Sequence, residues 1–255
     1  ATNFAPLMQR MLKRLEAVYE YPVDTEFTVN LGSEGGFQVN LVQCRPLQTR
    51  GQGQKAVIPE DIPPNEVLFE ATGSFMGCNT VQPIKRIIYV EASRYSELSL
   101  SRKYDVARLV GKLNRQIVDR ENFPTLLMGP GRWGSTTPAL GVPVRFSDIN
   151  HMAVLVELEA RTGSLTPDLS FGSHFFQDLV ETDIFYVAIF PGRQGVTFNE
   201  DWFHGLNNYL GSLLADFESY EEVVKVYNVA ERNTYLVADI DSQRVLCFSG
   251  SKIDQ

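Results

Sequence analysis

Val23-Asp-Thr-Glu-Phe-Thr-Val-Asn-Leu-Gly-Ser-Glu-Gly-Gly-Phe-Gln-Val-Asn-Leu-Val-Gln-Cys-Arg-Pro46 sets two β-type runs, Val23 to Val29 and Phe37 to Cys44, around the glycine-rich turn Leu31 to Gly36. Glycine tolerates the positive φ that a reversal needs, so the stretch predicts an antiparallel hairpin. Side chains alternate faces along a strand. Asp24 and Glu26 therefore share a face of the first run, and Gln43 and Arg45 share a face of the second. With the turn centred near Ser33 and Glu34, residue 26 is expected opposite residue 40 or 41. Gln43 is then a diagonal neighbour, within reach of a ligand shared across about 7–8 Å if the register puts both on one side. A carboxylate and an amide oxygen on adjacent strands are hard ligands suited to Mg²⁺, which completes its shell with phosphate oxygens. Arg45 would then meet a phosphate charge. Taken alone, the hairpin is more simply a solvated acidic face.

Upstream, Phe4, Leu7, Met8, Met11, Leu12, Leu15, Val18 and Tyr19 recur at the three-and-four spacing of an amphipathic helix. Pro22 disfavours helical geometry in the residue before it and ends that helix near Tyr21. Downstream, residues 47–65 are polar and glycine-dotted, then stiffened by Pro59, Pro63 and Pro64, as an inter-domain connection is. The expected organisation is a first unit over 1–50, a connector over 51–65 and a second unit over 66–255. In the second unit the patterning predicts strands at Val67 to Ala71 and Arg86 to Glu91, and one long helix from Tyr95 to Arg120. Short strands follow around Leu126, Val142, Val154 and Phe185, then a helix from Leu206 to Phe217. Val223 to Val229, Thr234 to Ile240 and Arg244 to Phe248 predict an antiparallel meander. The fold class is α+β: a helix and hairpin, then a mixed, largely antiparallel sheet with flanking helices.

The chain has 255 residues, 44% hydrophobic and 21% charged, which is the composition of a folded globular protein. Its net charge of −8 has the wrong sign for gripping a nucleic-acid backbone. No apolar run approaches the roughly 18–20 residues that span a bilayer, so a membrane partner is not expected. Cys44, Cys78 and Cys247 form neither a metal-ligand spacing nor an even disulfide set, and no secretory signal opens the chain, which together predict a reducing cytoplasm. Opening on Ala1 in a helical pattern, the chain is expected to be part of a longer polypeptide.

The literal residues add to this. Asp24-Thr-Glu-Phe-Thr-Val29, followed by Asn40-Leu-Val-Gln-Cys-Arg-Pro46, resembles the closing strands of the ATP-grasp nucleotide-binding domain in the pyruvate phosphate dikinase and phosphoenolpyruvate synthase family. The resemblance covers roughly residues 16–47. It implies that Glu26 and Gln43 bind metal and nucleotide, that Arg45 lies near the phosphates, and that ATP and Mg²⁺ are cofactors of the intact protein. It also implies an ATP-dependent phosphotransferase whose phosphate-covering loop and catalytic basic residues lie in upstream domains of the same polypeptide, with a nucleotide and a small-molecule phosphate acceptor as partners. The 255-residue chain alone is expected to be inactive.

A second segment, Thr125-Leu-Leu-Met-Gly-Pro-Gly-Arg-Trp-Gly-Ser-Thr-Thr-Pro138, runs a strand into a glycine-rich loop. Gly129, Gly131 and Gly134 spell G-x-G-x-x-G, with Glu157 near the position of a ribose-binding acid. However, Pro138 and Pro143 interrupt the helix that such a fingerprint needs. Ser135 stands where a phosphate-binding loop carries lysine, so the loop is not of that kind either. There remain a nest of backbone donors beside Arg132 and Ser135 for a phosphate or carboxylate, or else a tight corner in which Trp133 plugs the core. This loop, with Gly141-Val-Pro-Val144 and Phe171-Gly-Ser-His-Phe-Phe-Gln-Asp178, looks like a region attached to some dikinase-like proteins. His174 and Asp178 lie four apart and would face the same way on a helix, as a general base or phosphate-accepting imidazole requires. The plainer reading makes Ser173 an N-cap and His174 structural. The basic face of the long helix, with Arg102, Lys103, Arg108, Lys112 and Arg115, is solvated or docks an acidic partner. The alternative to a phosphotransferase is therefore a binding or regulatory module for a small anion, anchored by Arg132.

Overall fold

The computed structural model describes residues 3–32, 36–46, 56–159, 170 and 173–250. The chain divides into two compact units, 1–49 and 50–255.

In the first unit the apolar stripe forms helix α1 (Phe4–Tyr19), which stops where Glu20 turns left-handed at φ 52°. Strands β1 (Val23–Leu31) and β2 (Phe37–Pro46) pair antiparallel. Residues 33–35 of the expected turn lie outside the described residues. Near the turn Leu31 faces Phe37, and Phe27 faces Leu41. The register then shifts: Glu26 pairs with Gln43 and Asp24 with Arg45, leaving Val42 as a β-bulge. Residue 26 is thus opposite residue 43 rather than 40 or 41, because the Leu31–Phe37 pairing moves each partner one residue on from that of a turn centred between 33 and 34, and the bulge adds one more. The bulge also decides the faces. In an unbulged ladder Gln43 would oppose Thr25 and Arg45 would oppose Val23, on the side that carries Phe27 and Phe37. That side packs on α1, where the Phe4 ring lies 6.2 Å from Phe27 and 5.6 Å from Phe37.

The second unit adds β3 (Val67–Thr72), β4 (Phe75–Met76), β5 (Thr80–Ile84), β6 (Arg86–Val90), α2 (Ala92–Ser96), α3 (Leu100–Arg115), β7 (Thr125–Pro130), β8 (Val154–Leu158) and α4 (Ser173–Glu181). It continues with β9 (Phe185–Ile189), β10 (Thr197–Phe198), α5 (Leu210–Leu213), β11 (Val224–Asn228), β12 (Thr234–Asp239) and β13 (Arg244–Phe248). A six-stranded sheet runs β11-β6-β7-β8-β9-β4, with β6 to β9 parallel and the two edge strands antiparallel. A five-stranded antiparallel sheet runs β10-β3-β13-β12-β5.

Crossovers between parallel strands keep one hand, so a monotonic strand order places every connection on the same face. On that face Ile88, Leu127, Leu155 and Tyr186 pack against Leu109 and Leu113 of α3, Leu179 of α4, and Val142, Val144 and Ile149 of the β7–β8 connection. The opposite face is left for the second sheet: Ile87, Met128, Val154 and Val187 meet Phe69, Leu236, Val245 and Cys247. Strands covered on both sides read as unbroken apolar runs, and β7, β8 and β9 are buried throughout. Ala56, Ile58 and Ile62, within the stretch read as a connector, pack on Val67, Leu246 and Phe248 on the outer face of the five-stranded sheet.

The α+β class holds, and several expected elements differ. The long helix is two helices, because Tyr95 is buried and its hydroxyl donates to the Gly141 carbonyl at 2.8 Å, tying α2 to the glycine-rich loop. Val142 lies in no strand; Gly131 and Gly141 form an isolated bridge beside it. The helix expected over 206–217 shortens to α5 followed by a 3₁₀ segment, Ala215–Tyr220. The last three runs are not one meander, since β11 joins β6 while β12 and β13 pair in the other sheet. No described helix is long and apolar enough to cross a membrane.

Candidate functional site

With Glu26 opposite Gln43 and Asp24 opposite Arg45, the alternation of strand side chains puts all four on one face of the hairpin. Directly opposed residues bring their Cβ atoms to within about 4.5–5.5 Å, closer than the diagonal expected from sequence. The polar character continues towards the turn: the Asn40 amide donates to Thr28 Oγ1 at 3.4 Å, and the Gln38 amide to Asn40 Oδ1 at 3.0 Å. Arg45 Nε donates to Asp24 Oδ2 at 3.3 Å, each side chain about one-third exposed at 34%. The acid therefore holds the guanidinium beside the Glu26–Gln43 pair. The hairpin thus has an apolar face under α1 and a polar face carrying a carboxylate, a carboxamide and an oriented cation.

In the second unit the glycine-rich loop is a tight corner. Trp133 is buried, and its indole nitrogen donates to the Val156 carbonyl at 2.9 Å. A Cβ on Gly129 would meet the Trp133 ring at 2.9 Å, and one on Gly141 would meet the Arg132 carbonyl at 2.2 Å, so both glycines serve close approach. The corner also binds an anion, and that anion belongs to the chain. The Glu157 carboxylate accepts from Trp133 N at 2.6 Å, Ser170 N at 2.6 Å, Ser170 Oγ at 2.6 Å and the Tyr186 hydroxyl at 2.8 Å. Burial pushes the Glu157 pKa up, outweighing the hydrogen bonds that oppose the rise. Burial likewise raises the Tyr186 hydroxyl, with the Arg132 charge acting in the opposite direction. Arg132 therefore lies within electrostatic reach of this internal cluster, while Ser135 Oγ accepts from Thr137 N at 3.1 Å.

His174 and Asp178 are both exposed, one turn apart on α4. Glu26, Gln43 and Arg45 belong to the first unit, and Arg132, Ser135, His174 and Asp178 to the second. Sequence reasoning missed the role of Glu157, which it met only as a ribose-acid position. The available signal was a lone acid in the apolar strand Val154-Leu-Val-Glu-Leu158, since a buried carboxylate needs several donors. Among the described residues no group of three or more His, Cys, Asp or Glu side chains is arranged to hold a metal ion.

Residues 4–66 match the family model of the pyruvate phosphate dikinase AMP/ATP-binding domain. The match takes in the α1–hairpin unit, covers well under half of the chain, and supports a dikinase-like nucleotide-binding segment there. No curated protein and no solved structure matches the chain.

Proposed function

We propose that this chain is the C-terminal portion of a dikinase-like, ATP-dependent phosphotransferase, with α1 and the hairpin closing an ATP-grasp nucleotide pocket whose remaining walls lie upstream in the same polypeptide. The observation that carries the proposal is the bulged register, which sets Glu26 against Gln43 and Asp24 against Arg45 on one face, within the segment that matches an AMP/ATP-binding domain.

The donor set suits magnesium: a carboxylate and an amide oxygen are hard ligands, and Mg²⁺ uses few protein ligands when phosphate oxygens complete its shell. When bound, the ion neutralises phosphate charge. Glu26 and Gln43 would hold it. Asp24 fixes the Arg45 guanidinium at 3.3 Å, so that the cation is oriented before charge builds on the transferring phosphoryl group. Such preorganised charge is the usual protein contribution to phosphoryl transfer. The phosphate would pass to a small-molecule acceptor.

In the full-length protein, Glu26→Ala should lower ATP turnover by about a hundredfold or more while circular dichroism stays unchanged. Unchanged turnover by that folded variant rejects the assignment.

A further inference from the structure

Two features far apart in sequence, the basic face of α3 and the end of the glycine-rich loop, converge on a cleft of about 540 Å³. Its charged lining is Arg108, Lys112, Arg115, Arg145 and Asp148, with Thr136 among the neutral residues. Three of the cations follow the i, i+4, i+7 spacing of one helical face, and Arg145 arrives from the opposite wall. That wall approaches closely because α3 has a glycine at its contact: a Cβ on Gly111 would lie 2.6 Å from Asp148 Oδ1.

Asp148 is the acid of the lining, and the wall itself engages it. Its Oδ2 accepts from Arg145 N at 3.0 Å, and its Oδ1 lies 3.7 Å from Arg115 Nη1. Arg108 pairs with Asp105, on its own helix. Lys112 sits over the Phe217 ring at 4.7 Å, and neither Lys112 nor Arg145 forms an ion pair with a carboxylate among the described residues. Four cations therefore converge with one carboxylate in the lining, on a chain whose net charge is −8. Convergent like charge is unfavourable unless an anion answers it.

We infer that this cleft binds a small molecule carrying a diphosphate group. The volume falls in the usual range of about 300–1,000 Å³ for small-ligand sites. From Arg108 to Arg115 the helix rises about 10 Å, longer than one phosphate group, so a ligand with adjacent phosphates can engage cations on successive turns. The Thr136 hydroxyl supplies a neutral donor. The site belongs to the second unit and does not rest on the nucleotide reading of the hairpin.

The test is isothermal titration of the chain, without divalent metal, using inorganic pyrophosphate and ADP as separate probes and sulfate at matched ionic strength as control. Pyrophosphate should bind at least about tenfold more tightly than sulfate. Lys112→Ala and Arg145→Ala should each weaken it several-fold, and the double variant should abolish it with the melting curve retained. Arg94→Ala, at an exposed cation outside the cleft, should leave it unchanged, which separates the site from general surface charge. Tighter ADP than pyrophosphate, lost in the double variant, assigns a diphosphate ester; the reverse order assigns the free anion. No wild-type binding of pyrophosphate, binding no tighter than sulfate, or undiminished binding by the folded double variant overturns the inference.

Discussion

Glu157 places an acid inside a strand whose five residues are all buried. Its carboxylate gathers the corner at Trp133, the residue at 170 and the Tyr186 hydroxyl around one group. Glu157→Gln would turn an amide N–H₂ towards donors that need an acceptor. Each buried donor left without one costs about 1–3 kcal/mol, so a urea midpoint lowered by a loss of that order is expected. The pH dependence has a definite sign. Because burial raises the folded-state pKa, the residue's titration contributes stability that is fully present below the ordinary carboxylate pKa and is lost as pH rises through the higher folded value. The wild-type minus Glu157→Gln difference should therefore shrink with rising pH across that window, and a difference that grows would contradict the assignment. At this scale strand parity put Asp24 with Glu26 and Gln43 with Arg45 within each strand, but the sequence did not show the bulge that brings the two pairs onto one face. It hid the Glu157 cluster and the basic cleft, because their members lie up to dozens of residues apart and only tertiary packing joins them.

The bulge at Val42 works at the scale of the element. Val42 is the supernumerary residue of β2 and 63% exposed, so its deletion should leave Gln43 opposite Glu26 in an uninterrupted ladder. Deletion of Val39 also shortens the strand by one, but turns Asn40 onto the face under α1 and Leu41 onto the polar face. The expected outcome is near-native amide-exchange protection over residues 23–46 for the Val42 deletion and marked loss of protection for the Val39 deletion. Equal behaviour of the two would refute the parity argument. The longer strands and helices were legible from apolar runs and helical periodicity, but β4, β5 and β10 were not, being short or only partly buried. Partner choice was not: nothing in Val224 to Asn228 says which sheet it joins, and β7 reaches its parallel neighbour β8 without an intervening α-helix, which removed the usual signal of a parallel pair. The expected long helix failed because local periodicity cannot register that Tyr95 is tethered to Gly141.

At the largest scale, layering governs the second unit: connections and helices cover one side of the six-stranded sheet, and the five-stranded sheet covers the other. The second unit buries its own apolar clusters on both faces of the six-stranded sheet, so a fragment beginning at Ala56 is expected to unfold cooperatively by itself. Starting instead at Pro63 removes Ala56, Ile58 and Ile62 and bares Val67, Leu246 and Phe248. At about 25 cal/mol per Å² of apolar surface, that exposure should lower the melting temperature by several degrees, as calorimetry on the two fragments would read. Equal melting temperatures would mean that the segment contributes nothing to the fold.

The order β10-β3-β13-β12-β5 puts β13 in the middle of its sheet, although it is the last of the described strands in the chain. While the polypeptide is emerging from the ribosome, β3 waits through some 170 residues of synthesis for the neighbour that shields its inner edge. Until then its backbone groups and Phe69 are open to chaperones and to other nascent chains. A chain stopped shortly before residue 244 would hold the other four strands of this sheet and lack the one that joins β3 to β12.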